Sequence, residues 1–383
     1  MRPSSSVIVL MMMMMNARAW QQRCFRAPGR RRVSTSSASS PPSSEGRRER
    51  VLSGVQPTGS LHLGNYLGAI RQWVAYQETY ESFFCVVDLH AITMPHDPKL
   101  LTKHCLETAA VYVAAGVDPD RSPIFVQSHV SAHAELTWLL NCITPMNWLE
   151  KMIQYKEKAV KQGENVGVGL FDYPVLMASD ILLYQAGLVP VGEDQRQHLE
   201  LTRDVARRFH DKFCKKSSSN KVFREPKALI VDGGARVMSL TDGTAKMSKS
   251  AELDNSRINL LDPPDVVVRK IKKCKTDALQ GLEFDNPDRP ECTNLLNIYQ
   301  AVTGLDKDKI LDDCADLSWG QFKPLLADAV VAHLEPIQSR YNEVIADQKS
   351  LHEILKRGRD TASDVASQTL ADAKHAMGIP PQF

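Results

Sequence analysis

Residues 54–65 combine side chains and a turn that could bind a phosphate group. The segment passes through the turn Gln56-Pro57-Thr58-Gly59 and ends in His62-Leu63-Gly64-Asn65, where a short apolar strand gives way to a helix. The free N–H groups and the positive dipole at a helix start attract anions. His62 and Asn65 would add two short donors. A strand–turn–helix capped by Ser60 or Thr58, without any ligand, fits the same residues, so the motif alone leaves both interpretations open.

A second motif, Lys246-Met247-Ser248-Lys249-Ser250, places two lysines around small side chains. The turn Thr241-Asp242-Gly243-Thr244 precedes it, and residues 236–240 are predicted to form a strand. A loop of this kind can fold over a triphosphate, stabilise the charge of the departing pyrophosphate and then move away. On its own, a Lys/Ser pentapeptide is more commonly a solvated surface loop.

Strands and helices alternate along the part of the chain that carries the first motif. Continuous apolar stretches predict strands at residues 51–54, 83–87 and 123–126, and a helical apolar period predicts helices at 63–76 and 100–115. Residues 131–162 and 173–210 are predicted to be mainly helical, as is the chain from residue 262 onward. Repeated strand–helix–strand units favour a parallel sheet with right-handed crossovers, which binds nucleotides beyond the carboxyl ends of its strands. The predicted fold class is therefore α/β, followed by a helical part.

The first fifty residues differ in composition from the rest of the chain. They contain ten arginines, no lysine and two glutamates, a net charge of +8, so the other 333 residues carry −6 of the overall +2. Arginine-rich, serine-rich and acid-poor composition is typical of an organellar transit peptide, which we predict at residues 1–48. A secretory signal around residues 7–15 and an ordinary disordered tail are the alternatives. Because the rest of the chain is not a polycation, any nucleic-acid contact depends on local patches.

Cysteine spacing excludes a zinc-ribbon protein, and hydropathy excludes a membrane-spanning protein. The eight cysteines are at least 18 residues apart, so the chain has no Cys-x-x-Cys pair and no zinc-ribbon spacing. Several lie in apolar stretches, which favours free thiols in a reducing compartment. No window approaches the ~18 unbroken apolar residues of a membrane span. We therefore predict neither a metal site nor membrane association.

In their order along the chain, these motifs resemble those of a known enzyme family. His62-Leu63-Gly64-Asn65 and, about 180 residues later, Lys246-Met247-Ser248-Lys249-Ser250 resemble the two signatures of class I aminoacyl-tRNA synthetases. The intervening Tyr173-Pro174-Val175-Leu176-Met177-Ala178-Ser179-Asp180 and Val191-Gly192-Glu193-Asp194-Gln195 resemble the bacterial and organellar tryptophanyl-tRNA synthetases, as does Asn294-Leu295-Leu296-Asn297-Ile298-Tyr299. The resemblance runs from about residue 51 to the end. Asn65 stands where the general signature has a second histidine, which is usual for this subfamily.

The resemblance implies a Rossmann-like parallel-sheet nucleotide-binding domain at residues 49–250, followed by an all-helical region of the anticodon-binding type at 251–383. It implies ATP-dependent activation of L-tryptophan to tryptophanyl-adenylate and transfer to tRNA(Trp) in organellar translation. The expected ligands are ATP with Mg²⁺, L-tryptophan and tRNA(Trp). The expected assembly is a homodimer and the expected compartment is the mitochondrial matrix, with the plastid or dual targeting as alternatives. A tyrosyl-tRNA synthetase and a non-catalytic tRNA-binding relative are the alternative functions.

The resemblance also assigns residues to ATP. Lys246, Lys249, His62 and Asn65 are the expected catalytic residues. Gly64 and Gly192 would admit the adenosine, and Val237 would pack on the adenine. The complete set of expected ATP contacts is Gln56, Pro57, Thr58, Gly64, Asn65, Gly192, Glu193, Asp194, Val237, Lys246, Met247, Ser248, Lys249 and Ser250. Glu193 and Asp194 precede a predicted helix and could equally be its caps.

Selection of the amino acid would depend on the segment around residue 180. Tyr173, Met177, Asp180 and Tyr184 share one helical face, at spacings of four, three and four residues. A carboxylate in an apolar stripe is costly without a partner, and an indole N–H is a donor-only group that would supply one. The resemblance gives Asp180 this role, lines the ring pocket with Tyr173 and Met177, and places Gln195 at the substrate amino group. The alternative is that Ser179 or Asp180 caps a helix.

Two other features have no assigned role. His90 follows the second predicted strand, and a structural histidine is at least as good an interpretation as a site residue. Residues 269–275 form the strongest basic patch of the body of the chain. This patch could hold tRNA phosphates or could be a solvated helix face.

Overall fold

The computed structural model describes residues 48–192, 195–214, 221–229, 236–249 and 251–381, and Arg48–Phe383 forms one compact unit. Apart from Arg48, the predicted transit peptide lies outside these ranges, as do the predicted ATP contacts Glu193, Asp194 and Ser250. Within the described ranges the seven cysteines are free thiols, and no helix is long and apolar enough to cross a membrane.

A parallel sheet with the strand order β3-β2-β1-β4-β5 forms the centre of the described unit. Its strands are β1 Arg50–Val55, β2 Glu81–Val86, β3 Ile124–Val126, β4 Leu188–Pro190 and β5 Lys227–Leu229. The first three confirm the strands predicted from apolar stretches, and β2 and β3 are buried almost throughout, as strands covered on both faces are. The strands β4 and β5 escape prediction because their sequences, Leu-Val-Pro and Lys-Ala-Leu, do not form continuous apolar stretches like that of β3.

Helices cover the sheet and continue after it. Those up to β5 are α1 Leu63–Asn65, α2 Arg71–Thr79, α3 Asp88–Ala91, α4 Pro98–Ala114, α5 Ala132–Asn141, α6 Met146–Leu149, α7 Ile153–Gln162, α8 Val168–Leu183 and α9 Arg196–Phe213. Those after β5 are α10 Pro264–Lys273, α11 Pro290–Thr303, α12 Lys307–Cys314, α13 Trp319–Ala346 and α14 Gln348–Ala376. These bounds confirm the predicted helical segments and the α/β class with helices after the sheet.

The helical segment after β1 contains one irregular turn. Tyr66–Ile70 forms a π-helical turn between α1 and α2. Leu63 and Ile70 are fully buried, and the Trp73 ring stacks on Phe84 of β2 with ring centroids 5.0 Å apart. The apolar period thus fixes this segment against the sheet, which positions His62 immediately before its first turn.

Among the described residues, 236–240 contain a single β-bridge instead of the predicted strand. Met238 pairs with Lys246 in antiparallel orientation, so residues 237–247 form a narrow hairpin. The Ser239 N–H donates to the Ala245 carbonyl at 2.8 Å, and the Met247 N–H donates to the Val237 carbonyl at 3.1 Å. The outer edge of Met238 bonds to Asn294 of α11 and not to another strand.

The C-terminal helices pack directly against the sheet and its helices. Helix α13 contacts α4, and α14 contacts β3. Small residues on one face of α14, Gly358, Ala362, Ala366 and Ala373, are buried. A Cβ at Gly358 would overlap the Ile124 carbonyl in β3. Glycine here permits a close contact that covers the edge strand and so protects it from pairing with another chain.

We expect Gly358→Ala to destabilise the protein strongly. The added methyl group would displace α14 or β3, because the atoms it meets belong to the backbone. Overpacking of this kind costs about 3 kcal/mol of the free energy of unfolding. Gly320→Ala in α13 is the matched control, since a Cβ there meets only the Ser318 hydroxyl at 3.8 Å. Chemical denaturation measures both variants, and equal stability would contradict the close contact of α14 with β3.

Candidate active site

The strand order creates a topological switch point between β1 and β4. β2 follows β1 in the chain and pairs with it on one side, whereas β4 pairs with β1 on the other side. At such a point a crevice opens outside the carboxyl ends of the strands, and ligands of open α/β sheets bind there. Residues 56–65 follow β1, and residues 191, 192 and 195 follow β4. The two segments predicted to bind ATP therefore flank one crevice.

His62 and Asn65 form a reciprocal cap at the first helical turn after β1. The His62 N–H donates to Asn65 Oδ1 at 3.2 Å, and the Asn65 N–H donates to His62 Nδ1 at 3.3 Å. Because Nδ1 accepts a hydrogen bond, the neutral ring carries its proton on Nε2. The cap uses acceptor atoms of both side chains and leaves the His62 Nε2–H and the Asn65 amide hydrogens as donors.

The backbone N–H groups of this turn are not the free donors that the sequence predicts. Besides those of His62 and Asn65, the Leu63 N–H is taken, since it donates to the Ile258 carbonyl at 2.8 Å. The expectation of a cradle of free amides is therefore wrong for these three residues. The alternative cap by Ser60 or Thr58 is also wrong, because His62 itself is the N-cap. Anion contacts at this turn depend on side-chain donors instead.

Gly64 lies between the His62 ring and Val237. A Cβ at residue 64 would lie 3.0 Å from His62 Nδ1 and 3.5 Å from the Val237 Cβ. Glycine thus makes room for the histidine ring and for the hairpin, in addition to any room it leaves for a nucleotide. Val237 is 4% exposed, so only a small part of its side chain is available to an adenine ring.

The lysine motif lies on the second arm of the hairpin and continues beyond it. Lys246 is exposed, Met247 is buried in the core, and Ser248 and Lys249 are half-buried. The Lys249 Nζ donates to the Gln56 carbonyl at 3.4 Å. The hairpin therefore brings a lysine from far along the chain to the turn that follows β1.

Burial and nearby cations lower the pKa of His62 to about 4. Burial is the largest cause, and the positive charges of Lys249, Arg257 and Lys246 add to it. His62 is therefore neutral at pH 7 and donates through Nε2 without carrying charge. Burial also lowers the pKa of Lys249 to about 8. The positive charge gathered at this turn would be neutralised by a triphosphate.

The other predicted ATP contacts lie on the segments after β1 and β4. Gln56 is half-buried, Pro57 is buried and Thr58 is exposed. The Thr58 N–H closes the turn by donating to the Gln56 carbonyl at 2.8 Å. After β4, Gly192 is exposed, and its carbonyl accepts from the Gln195 N–H at 2.9 Å at the start of α9. The open backbone at Thr58 and Gly192 leaves both walls of the crevice accessible.

Asp180 lies inside helix α8 and near its end. The N-cap of this helix is Gly167, so the alternative that Ser179 or Asp180 caps a helix is wrong. The Ser179 hydroxyl donates to the His133 carbonyl at 2.9 Å. This bond ties α8 to α5 beside the carboxylate of Asp180.

Three side chains hydrogen-bond to the buried carboxylate of Asp180. His90 Nε2 lies 2.8 Å from Oδ2, while Gln127 Nε2 and His133 Nδ1 lie 2.8 Å and 2.6 Å from Oδ1. Burial on its own would raise the pKa of Asp180, but the hydrogen bonds from His133 and His90 hold this pKa well below its usual range. The carboxylate is therefore an anion whose orientation is fixed.

The carboxylate of Asp180 retains acceptor capacity for a ligand. A carboxylate has about four lone-pair positions. Its Oδ1 atom accepts two hydrogen bonds and its Oδ2 atom accepts one, so one position remains on Oδ2. A flat apolar ligand with a ring N–H could donate to it. A ligand ring without a donor would leave this buried anion incompletely paired, which is a basis for discrimination.

The donors to Asp180 are themselves held by other groups. His133 Nε2 lies 2.8 Å from the Tyr184 hydroxyl, and Gln127 Oε1 accepts from the Leu89 N–H at 3.1 Å. Since a carboxylate only accepts, the ring nitrogens that face it carry protons, and this sets the tautomers. The network thus orients Asp180 from three directions.

Tyr173 lies beside this network, with its ring centroid 6.2 Å from that of His90. The Tyr173 hydroxyl is 2.9 Å from His198 Nε2, and the Lys158 Nζ lies 4.6 Å from the centroid of the Tyr173 ring. Burial, with a smaller contribution from Glu157, raises the pKa of Tyr173 to about 12, so its ring stays neutral. Met177 and Gln195 are half-buried. Tyr173 and Met177 lie on the same helix as Asp180.

Four residues of these clusters are not identified by the sequence analysis. The role of His90 is undecided from the sequence, and Gln127, His133 and Arg257 are not predicted as site residues. His90 and Gln127 each follow a buried strand, β2 or β3, and this position at the carboxyl edge is a signal that could have found them. His133 and Arg257 show no such signal, because only the tertiary structure brings them to Asp180 and His62.

Similarity to known proteins extends over most of this chain. A family model described as tRNA synthetases class I (W and Y) matches residues 44–335. A tryptophan–tRNA ligase of Thermosynechococcus vestitus is 65% identical over 86% of this chain and 99% of its own length. The chloroplastic/mitochondrial tryptophan–tRNA ligase of Arabidopsis thaliana is 56% identical over 86% of this chain and 83% of its own.

This chain is also similar to a solved structure. The tryptophanyl-tRNA synthetase of Campylobacter jejuni, complexed with ADP and tryptophan, superimposes with a TM-score of 0.74 at 34% identity, covering 86% of this chain and 99% of that one. The family match spans the sheet, both motifs and the helices up to residue 335. The chain therefore belongs to the class I tRNA synthetases for tryptophan and tyrosine.

Proposed function

We propose that this chain is a tryptophan–tRNA ligase, which activates L-tryptophan with ATP and transfers it to tRNA(Trp). The observation that carries the proposal is the carboxylate of Asp180, a buried and fixed anion with one acceptor position left. His90, one of its partners, follows β2, and β2 pairs with β1, which leads to residues 56–65, the proposed phosphate-binding turn. A site for a ring N–H and a site for a triphosphate therefore share one edge of the sheet.

The choice of tryptophan over tyrosine rests on the relatives. A carboxylate accepts a phenolic O–H as readily as an indole N–H, so Asp180 alone does not decide between them. The relatives that share more than half of the sequence are tryptophan–tRNA ligases. A non-catalytic relative is the weaker alternative, because His62, Asn65 and Lys249 lie together at the crevice.

In the activation step, a carboxylate oxygen of tryptophan forms a bond to the α-phosphorus of ATP, and the bond to the pyrophosphate oxygen breaks. His62 and Asn65 donate to phosphoryl oxygens through their remaining N–H groups. Lys246 and Lys249 stabilise the charge that develops on the pyrophosphate. Further positive charge at the pyrophosphate would come from Mg²⁺ bound with ATP. The chain thus contributes positioning and electrostatic stabilisation.

In the transfer step, a ribose hydroxyl at the 3′ end of the tRNA attacks the carbonyl carbon of tryptophanyl-adenylate, and AMP leaves. We assign activation to residues 49–250 and the anticodon-binding role to the helical residues 251–383. Arg269, Lys272 and Lys273 are exposed on α10 and offer contacts to phosphates. Lys270 is not available for this, because it is buried in ion pairs with Asp254 and Asp262, at 2.6 Å and 2.7 Å.

We further propose that the enzyme is a homodimer. Apolar side chains that are 61–83% exposed occur on consecutive elements from α5 to α8, and they are Trp138, Met146, Ile153, Val160 and Val168. Helices α5, α6 and α7, which carry the first four of these side chains, all pack on α8, which carries Val168. Exposed apolar groups of this size are a common feature of surfaces that bind a partner.

We propose an organelle as the site of action, with residues 1–48 as the transit peptide. The family match begins only at residue 44, so the arginine-rich segment is an addition to the family's common core. The plant relative is chloroplastic/mitochondrial and others are cyanobacterial, which supports the plastid or dual targeting beside the mitochondrial matrix. Residues 1–48 fused to a fluorescent protein are expected to enter one or both organelles. Diffuse cytosolic fluorescence would contradict the transit peptide.

Amino-acid-dependent ATP–pyrophosphate exchange with all twenty amino acids tests the proposed function, and tryptophan should be the preferred substrate. We expect Asp180→Asn to lower kcat/KM for tryptophan roughly tenfold to a hundredfold, because a hydrogen bond to a charged group is worth about 1.5–3 kcal/mol. The preference for tryptophan over its benzothiophene analogue should fall as well.

The matched control for Asp180→Asn is Asp172→Asn. Asp172 lies on the same helix and accepts a hydrogen bond from Asn141 at 2.7 Å. The control removes the same charge from α8 away from the histidine network. It should leave the preference ratio unchanged. An unaltered ratio in Asp180→Asn would refute the ring-recognition role.

We expect the exchange reaction to lose kcat/KM for ATP as the pH rises through about 8. Burial lowers the pKa of Lys249 to about 8, so above this pH the free enzyme loses a positive charge at the phosphate site, and kcat/KM reports the free enzyme. In Lys249→Arg this alkaline decline should disappear, because a guanidinium stays protonated. Lys246→Arg is the control and should retain the decline. A decline of equal size in Lys249→Arg would show that another group causes it.

A further inference from the structure

The hairpin that carries Lys246 has an outer edge whose hydrogen-bonding groups need partners. Ser239 and Met247 donate across the hairpin to the Ala245 and Val237 carbonyls, so Met238 and Lys246 form a pair without hydrogen bonds between them. In such a pair, the N–H and C=O groups of each residue point away from the opposite strand. Those of Met238 would normally bond to a third strand.

The side chain of Asn294 takes the place of that third strand. Its Oδ1 accepts from the Met238 N–H at 2.9 Å, and its Nδ2 donates to the Met238 carbonyl at 3.1 Å and to the Ser239 carbonyl at 3.4 Å. Asn294 is 2% exposed and lies in the first half of α11. Only a carboxamide side chain provides a planar donor and acceptor of this kind together. The residue therefore matches both backbone groups of Met238 at once.

The turn of the same hairpin is also attached to α11. A Cβ at Gly243 would lie 2.5 Å from the Glu291 nitrogen, so the turn rests directly on the first residues of this helix. The Lys275 ammonium, 2.6 Å from the carboxylate of Glu291, lowers the pKa of Glu291, and the nearby Gly243 N–H adds to this effect. The hairpin thus has two separate contacts with α11.

The opposite side of the hairpin faces the phosphate-binding turn. Val237 and Met247 are buried in the same core cluster as Leu61 and Leu63. Beyond the hairpin, Lys249 reaches the Gln56 carbonyl. The hairpin is therefore held between α11 on one side and the start of α1 on the other, and Asn294 provides hydrogen bonds from α11.

We propose that Asn294 is a positioning residue for the activation step, which sets the place of Lys246 at the triphosphate by bonding to the strand opposite it. Asn294 itself contacts no substrate and acts through Met238. This inference rests on the proposed function and extends it to a residue outside the crevice. It also makes α11, part of the helical region, a support of the phosphate site.

The experiment compares Asn294→Ala and Asn294→Asp with the unaltered full-length enzyme. The aspartate keeps the size of the side chain and accepts from the Met238 N–H, but it repels the Met238 and Ser239 carbonyls. It is the variant to measure if the alanine variant folds poorly. Loss of two or three hydrogen bonds should raise the KM for ATP and lower the single-turnover rate of adenylate formation, together by about tenfold or more. The KM for tryptophan should change by less than about twofold, because the Asp180 network lies elsewhere.

Asn297→Ala is the matched control for these variants. Asn297 lies nearly one turn further along α11. Asn294 and Asn297 both line a cavity of about 310 Å³, together with Met238 and Gly243. It should alter neither KM. A merely structural role for Asn294 would instead lower the melting temperature and affect both substrates alike, and that outcome would overturn the proposal.

A double-mutant cycle with Lys246→Ala tests whether Asn294 acts through this lysine. If it does, Asn294→Ala should add little to the loss already caused by Lys246→Ala, so the two effects would be strongly non-additive. Additive effects would overturn the proposal. The unaltered enzyme is assayed in parallel, and its failure to exchange pyrophosphate with tryptophan would reject the proposed function instead.

Discussion

The burial of one negative charge determines much of the structure around the site. Asp180 is 5% exposed inside a helix, and a carboxylate in that position is tolerated only with hydrogen-bond donors around it. The chain provides three, from α3, from the turn after β3 and from α5. Each comes from a different element, so the charge constrains how these elements pack together. A network of this kind is stabilising only while every member is satisfied.

The sheet topology explains why these groups meet. Parallel strands carry their carboxyl ends to one edge, so His90 after β2 and Gln127 after β3 lie side by side, and the turn with His62 follows the neighbouring β1. Asp88 strengthens this arrangement, because its Oδ1 accepts from the Leu89 and Ser128 N–H groups at 3.0 Å and 2.9 Å. The edge is thus a preorganised surface before any ligand binds.

Local patterns in the sequence predict the parts of the site but not their partners. Apolar stretches are sufficient to find β1, β2 and β3, and helical spacing is sufficient to place Tyr173 and Asp180 on one face. The donors to Asp180 come from 47 to 90 residues away, and no local period contains that information. Local patterns also fail to predict the short strands β4 and β5 and the single bridge at Met238. Neighbouring elements stabilise these features more than their own residues do. The free amides at His62 were wrongly predicted for a related reason, since their acceptors include the distant Ile258.

The site has two halves, the turn after β1 and the Asp180 network, and they leave opposite kinds of hydrogen-bonding group for a ligand. At the turn after β1, protein N–H groups occupy acceptor atoms of His62 and Asn65, so donors remain, and donors are what a phosphate requires. At Asp180, protein donors occupy three acceptor positions and one acceptor remains, which is what a ring N–H requires. In both halves, hydrogen bonds within the protein determine which donors or acceptors remain for a ligand. The specificity of each half therefore depends as much on these internal hydrogen bonds as on the residue types that the sequence displays.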